Sequence, residues 1–503
     1  MKIKPRHLIL ISIFFAYFLI RLYFTLQTNY FDDTDSYLYL KQIENIIKKG
    51  KPIFYDELSY GGRTFYFMPF YYYLIAIITK LFLLINQNLN SIILLKIINN
   101  FFASLLIIIV YLIIAYLEKN RNVALICSLL TASFPLYITE TLNKLNYYSI
   151  IFSLFLLIIF LIYKSNKENI SLLIFITIIT ILTSYYSIIL LLGFIIYIIL
   201  NYIEKDEIEK IRIEFIIFFT LFFFWSNFII YKNAIIKNGI NFFWQNIPNM
   251  YIENYFLDVN FYHLITSLGL LQLFFSFYII YKYIVRTKNK NILLIISLFF
   301  SSTLLLILKL IPYKFAILSI GIFNIILFGI FWSDFFSTFK KTKFFNHESK
   351  VYITLIIILI FTQFLPTILI ISSQNSYKKD YYENFKLLKD LKNDSIIISL
   401  PEEGHLITYF GNKKNVIDTD FLGIENINER ISDIFSIYKK DLKIENLNIL
   451  NKYHANYIIY TEKTKNYNIT ETNFIKNCFD LIINKNDFKL YEYNSQKCKI
   501  QTI

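Results

Sequence analysis

Uncharged apolar runs as long as a bilayer is thick set the first limit on what this chain can become. Leu8–Ile20, Leu94–Tyr116 and Ile292–Leu308 carry few or no charges, and about 20 such residues cross about 30 Å of hydrocarbon as a helix. A water-soluble core cannot hide so much apolar surface: 56% of the 503 residues are hydrophobic and 17% charged, against about 25% charged in ordinary soluble domains. The expected class is an α-helical polytopic membrane protein. The first run follows Met1–His7 and no small-residue cleavage site comes after it, so it reads as a retained helix. A net charge of +14 would suggest nucleic acid for a soluble protein. Here Lys and Arg gather in the loops between runs, which makes the charge a topology signal, and no nucleic-acid partner is expected.

Apolar segments fall near 7–26, 66–87, 92–117, 122–140, 147–163, 170–185, 186–203, 212–231, 261–284, 291–309, 312–332 and 351–372. If all twelve cross and Lys2, Lys4 and Arg6 are cytoplasmic, every strongly basic loop lies outside. If 66–87 re-enters or lies on the surface, those loops all turn cytoplasmic and the positive-inside rule holds. The expectation is therefore about eleven crossings, with a cytoplasmic N-terminus. Residues 1–372 form the transmembrane domain, with external loops 27–91 and 232–260, and 373–503 form an extracytoplasmic domain. In that tail, Asp380–Lys392 and Glu425–Lys440 read as helices. Ser395–Leu400, Asn415–Asp418 and Tyr457–Tyr460 read as strands, an alternation that gives a small α/β unit. Of three cysteines, Cys127 reads as a core residue, while Cys478 and Cys498 can pair on an oxidising face.

The chemistry concentrates just beyond the first run, at Tyr30-Phe31-Asp32-Asp33-Thr34-Asp35-Ser36-Tyr37-Leu38-Tyr39. Three carboxylates in four residues at a membrane boundary are costly unless solvated or neutralised. A hard divalent cation neutralises them and suits the handling of a phosphate. Alternatively, the acids begin the helix Ser36–Lys49, which Gly50 closes, with Asp at the N-cap. The two readings are compatible.

The stretch from Asp35 through the Gly50-Lys51-Pro52 turn to Asp56–Tyr60 resembles the first external loop of the catalytic subunit of oligosaccharyltransferase, including single-subunit archaeal and bacterial forms. Ile311-Pro-Tyr-Lys-Phe resembles that family's "R-F" helix start, and Tyr381–Ser399 with Pro401–Asp418 occupies the place of its "W-W-D-Y-G" segment. The resemblance implies a GT-C fold and a metal site, with Mg²⁺ or Mn²⁺ on Asp33 and Asp35. It also implies a polyprenyl-phosphate or polyprenyl-pyrophosphate sugar donor, and an acceptor protein or glycan. Asp35 would be metal ligand and acceptor-activating carboxylate, and Glu253 the acid of the loop that closes over the acceptor. Arg63, Lys309 and Lys314 are candidates for the donor phosphate, with snorkelling to the interface as the alternative for the two lysines. Glu402, Glu403 and His405 are candidates for an acceptor or tail-domain site, ahead of His263 and His454.

Two departures narrow the expectation. Where the family's second acidic motif belongs, the chain reads Asn143-Lys-Leu-Asn146-Tyr-Tyr, and Pro401-Glu-Glu-Gly404-His405 stands where Trp-Trp-Asp is expected. That points away from asparagine transfer and towards another acceptor. Two competing readings stand beside it: a catalytically silent relative with a binding role, and a transporter, which the Ile/Leu/Phe character of the spans disfavours.

Overall fold

The computed structural model describes residues 5–118, 120–165, 169–256, 268–287, 289–343, 348–359, 362–363, 365, 367–369, 379–439, 444–466, 478–485 and 487–494. The chain divides into two compact units, one of Met1–Gln27, Met68–Ile230 and Glu253–Gln374, the other of Thr28–Phe67, Tyr231–Ile252 and Asn375–Ile503. By contacts, then, the tail groups with the central stretches of both long loops.

The first unit is helical. Among the described residues six helices are long and apolar enough to cross a membrane, or seven if the pair Arg121–Ala132 and Pro135–Thr141, bent by 47°, is one span. Phe70–Ile85, Tyr148–Tyr163 and Ile170–Thr183 are shorter apolar helices. Tyr313–Phe339 is apolar on all sides and buried along most of its length, as a helix at the centre of a bundle must be. Its glycines admit neighbours: a Cβ on Gly321 would lie 2.2 Å from the Phe134 ring and one on Gly329 2.9 Å from Cys127 Sγ, the use of small residues at helix crossings. Cys127 is a buried free thiol, the core residue expected of it. Arg21, 1% exposed, gives Nε to Asn100 Oδ1 (2.9 Å), one NH₂ group to Tyr17 (3.0 Å) and the other to Thr141 (2.8 Å). These bonds tie the Pro5–Leu26, Ser91–Glu118 and Pro135–Thr141 helices together, since a guanidinium in such surroundings must have its donors met.

The second unit carries a five-stranded sheet in the order Lys414–Asn415, Ile396–Ile398, Tyr457–Tyr460, Phe488–Tyr493, Phe479–Lys485. The first three strands are parallel (Ile397 pairs with Asn415 and with Tyr457) and the last two form an antiparallel hairpin, Lys485 opposite Phe488, which joins the third strand antiparallel with Ile458 opposite Tyr491. Parallel strands need crossovers, and the Ile427–Lys439 and Ile444–Lys452 helices lie between the second and third of them in the chain. Ile396–Ile398 and Tyr457–Tyr460 have apolar runs with no polar alternation, as strands covered on both faces do. The hairpin has no counterpart in the sequence reading. Cys478, at its entry, is disulfide-bonded; Cys498 lies outside the described residues.

Candidate functional site

The site of the second unit begins with a helix. Ser36–Lys49 is amphipathic, and it ends as its sequence requires, with Gly50 at φ 76° donating its N–H to Ile46 O at 2.8 Å. Asp35 stands at its N-terminus, but its carboxylate makes no cap hydrogen bond. Instead Oδ1 accepts from the Thr419 hydroxyl at 2.5 Å, and the Asp35 N–H donates to Asp33 Oδ1 at 3.2 Å. Asp35 Oδ2 and Asp33 Oδ2 accept no hydrogen bond among the described residues. Burial, and then the neighbouring Asp33 charge, push the Asp35 pKa up to about 6, against the pull of His405 and Thr419.

Thr419 is held by its neighbours in Asp418-Thr419-Asp420. Arg63, its side chain 3% exposed, places one amino group 3.2 Å from Asp418 Oδ1 and 3.3 Å from Asp420 Oδ2, and the other donates to Asp420 O. The guanidinium also lies 4.1 Å from the centre of the Phe65 ring, which covers it. Ser59 Oγ donates to Asp418 Oδ2 at 2.5 Å, the Asp420 N–H to Asp418 Oδ1 at 3.0 Å, and Tyr60 OH to Asp418 O at 2.7 Å. Backbone bonds extend the join: Asn415 N–H to Leu58 O, 2.8 Å, and Tyr60 N–H to Asn415 Oδ1, 2.8 Å. Burial alone would raise Asp418, but Arg63, His405 and Ser59 outweigh it and hold its carboxyl below the ordinary value. For Asp420 burial wins, and its pKa is raised.

His405 enters from the turn Gly404–Leu406, which packs against the Ser36–Lys49 helix. The approach depends on Gly404: a Cβ there would meet Ile417 O at 2.1 Å and Asp418 Cβ at 2.6 Å. The imidazole is 3% exposed, with Nδ1 3.8 Å from Asp418 Oδ2 and Nε2 without a hydrogen-bond partner. When it takes up a proton, the ring would draw down the carboxyls of Asp35, Asp418 and Asp420 alike. Beside it, Glu403 Oε1 accepts from Thr461 (2.5 Å) and Tyr381 (2.9 Å), and Glu402 accepts from Tyr251 at 3.3 Å.

The structure thus brings Asp33, Asp35, Arg63 and His405 into one neighbourhood with Asp418, Thr419 and Asp420. Arg63 is spent there on two carboxylates. Of the other candidates, Glu402, Glu403 and His454 belong to the same unit, and Lys309, Lys314 and Glu253 belong to the helical unit. Lys314 Nζ is 3.1 Å from Glu140 Oε1, whose other oxygen is 3.3 Å from Lys144, so the loop lacking the second acidic motif has its nearest acid matched by two ammonium groups. Lys309 follows the Lys290–Ile307 helix at φ 54°. Glu253 is on the Asn249–Phe256 helix, its side chain not among those described, and His263 lies outside the described residues. Asp418, Thr419 and Asp420 were missed as site residues. Their one sequence signal is an Asp-x-Asp directly after Val416-Ile417.

Among the described residues no group of three His, Cys, Asp or Glu is placed to hold a metal. The two Asp oxygens left open fit only the kind of site in which Mg²⁺ or Mn²⁺ takes one or two carboxylates and completes its shell with water and substrate phosphate.

Solved structures of similar shape fix the fold. The archaeal oligosaccharyltransferase AglB of Archaeoglobus fulgidus, in complex with an inhibitory peptide and a dolichol-phosphate, matches with a TM-score of 0.61 at 12% identity over 90% of this chain and 70% of that one. ArnT from Cupriavidus metallidurans, bound to undecaprenyl phosphate, matches with a TM-score of 0.56 at 10% identity over 98% and 99%. The chain has the GT-C fold. A further structure of the Archaeoglobus oligosaccharyltransferase, a complex with Zn and sulfate, matches at 12% identity with a TM-score of 0.61 over 96% and 74%. No family model matches the sequence, and no curated protein does. The GT-C architecture is therefore carried by shape at a sequence identity too low to carry a function with it.

Proposed function

We propose that this GT-C protein transfers a sugar or glycan from a polyprenyl-phosphate or polyprenyl-pyrophosphate donor to an acceptor on the extracytoplasmic side. The observation that carries the reading is Asp35. A carboxylate at a helix start is ordinarily used as a cap, yet this one is held by a threonine from the tail, with one oxygen open. The similar structures are complexes with dolichol-phosphate and undecaprenyl phosphate, which supports a polyprenyl carrier here. Asp35 receives or orients the acceptor, and Asp33 stands beside it. A divalent ion held by these two residues together with the donor would neutralise the charge that develops on the departing phosphate. Lys314 and Lys309 remain the candidates in the helical unit for the donor's phosphate; Arg63 acts within the tail cluster.

Asp35→Asn keeps the shape and the Thr419 contact but removes the charge. With a polyprenyl-linked donor and purified full-length protein, it should lower transfer by about 10²-fold or more, with no fall in melting temperature. Equal transfer by the variant and the wild type would defeat the proposal. The silent reading draws support from the paired state of Glu140, and would lead if the wild type showed no transfer.

A further inference from the structure

His405 presents a buried ring nitrogen with nothing to bond to. Buried polar atoms are almost always satisfied, and an exception calls for a ligand or a reaction partner. The ring is not loose filling, because the chain gives up a side chain at Gly404 to bring it against Ile417 and Asp418. Nδ1 faces the Asp418 carboxylate, and Asp418 is in turn fixed by Arg63, Ser59 and the Asp420 N–H. With the proton on the nitrogen that faces the carboxylate, the lone pair sits on Nε2. An imidazole with one nitrogen 3.8 Å from a carboxylate and the other buried and unpaired can accept a proton from a nucleophile brought against it.

We propose that His405 is a catalytic residue that takes the proton of a hydroxyl acceptor, so that the acceptor is a neutral alcohol of a carbohydrate or of a Ser/Thr side chain. This rests on the transferase reading above. An alcohol has one proton to give and one oxygen to attack with, which matches one open ring nitrogen beside Asp35. A phosphorylated acceptor is disfavoured, because Asp418 and Asp420 already occupy the Arg63 guanidinium, and the neighbouring Asp33 and Asp35 add carboxylates that would repel a second anion. In the step, the acceptor O–H bond breaks and its proton passes to Nε2. The oxygen forms the new bond to the anomeric carbon, and the carbon–oxygen bond to the polyprenyl phosphate breaks, the phosphate leaving with the electron pair. The imidazolium is then balanced by Asp418 until it returns the proton to solvent.

The test uses full-length protein in detergent, a polyprenyl-phosphate-linked monosaccharide, and four acceptors: an alkyl glycoside, a Ser/Thr peptide, an Asn-x-Thr peptide and a phosphorylated lipid. Transfer to the glycoside or the Ser/Thr peptide is expected, and which of the two accepts identifies the source of the hydroxyl. His405→Gln should lower kcat by about 10²-fold or more while KM for the donor changes little, and His405→Asn should not restore the rate. Asp35→Asn is run in parallel. Transfer that Asp35→Asn abolishes and His405→Gln leaves intact overturns the role of His405 but not the transferase reading. Transfer only to the Asn peptide or the phosphorylated lipid overturns the acceptor class. No transfer by wild type to any of the four overturns both readings.

Discussion

Glu403 shows what a single side chain contributes in the tail. It is fully buried, and Oε2 accepts no hydrogen bond. Burial raises its pKa above the ordinary value of 4.5, and Lys463, Thr461 and Tyr381 offset this only in part. The folded protein therefore holds this proton more tightly than the unfolded chain does. Its stabilising effect is complete below the unfolded value and is lost as pH rises through the folded one. Glu403→Gln keeps the acceptor for Thr461 and Tyr381 and removes the charge. The melting temperature of the variant should rise relative to wild type as pH rises above the ordinary value of 4.5; a difference that does not change with pH would show that Glu403 ionises in the folded protein as it does in the unfolded chain. One residue on, Gly404→Ala places a methyl against the Ile417 carbonyl. The expected cost is about 1–3 kcal/mol, read as a lower melting temperature of the full-length protein.

At the scale of elements, the loop Thr28–Phe67 and the end of the Lys414–Asn415 strand are fastened through Arg63. Arg63→Met fills similar space but leaves Asp418 buried without its cation, which costs about 3–5 kcal/mol when one partner of a buried pair is removed. Adding Asp418→Asn should recover part of the loss, as chemical denaturation of the two variants would reveal. How much of this was legible follows from the range of each signal. The Ser36–Lys49 helix with its Gly50 stop is written within fifteen residues and reads straight off them. So do the cores of two tail strands, Ile396–Ile398 and Tyr457–Tyr460, which are unbroken apolar runs, whereas the strand expected at Asn415–Asp418 is the polar pair Lys414–Asn415. The hairpin Phe479–Lys485 and Phe488–Tyr493 was missed because its outer strand is largely exposed and interleaved with Asn and Lys, so no alternation marks it. Asp35 was identifiable from its local acids. Its partner Thr419 is 384 residues away, and no spacing rule reaches that far. Arg63, read from the sequence as a candidate for the donor phosphate, has two aspartates of the tail as its partners.

Over the whole molecule, the orientation reading can be checked without any assay of transfer. Asn393 is exposed and begins the sequon Asn393-Asp-Ser. If the tail is extracytoplasmic, Asn393→Cys should react with a membrane-impermeant maleimide on intact cells, and labelling only after lysis would reverse the topology. The Thr419–Asp35 contact also has a consequence for biosynthesis. The ribosome adds about 5–20 residues per second, so the 384 residues between them take on the order of 20 to 80 s to make. Throughout that interval the acidic loop has emerged and the tail residues that complete its cluster do not yet exist. A chain that stops before Asp418 could insert its helices and still never assemble the site, and its early loop would remain an open target for quality-control proteases.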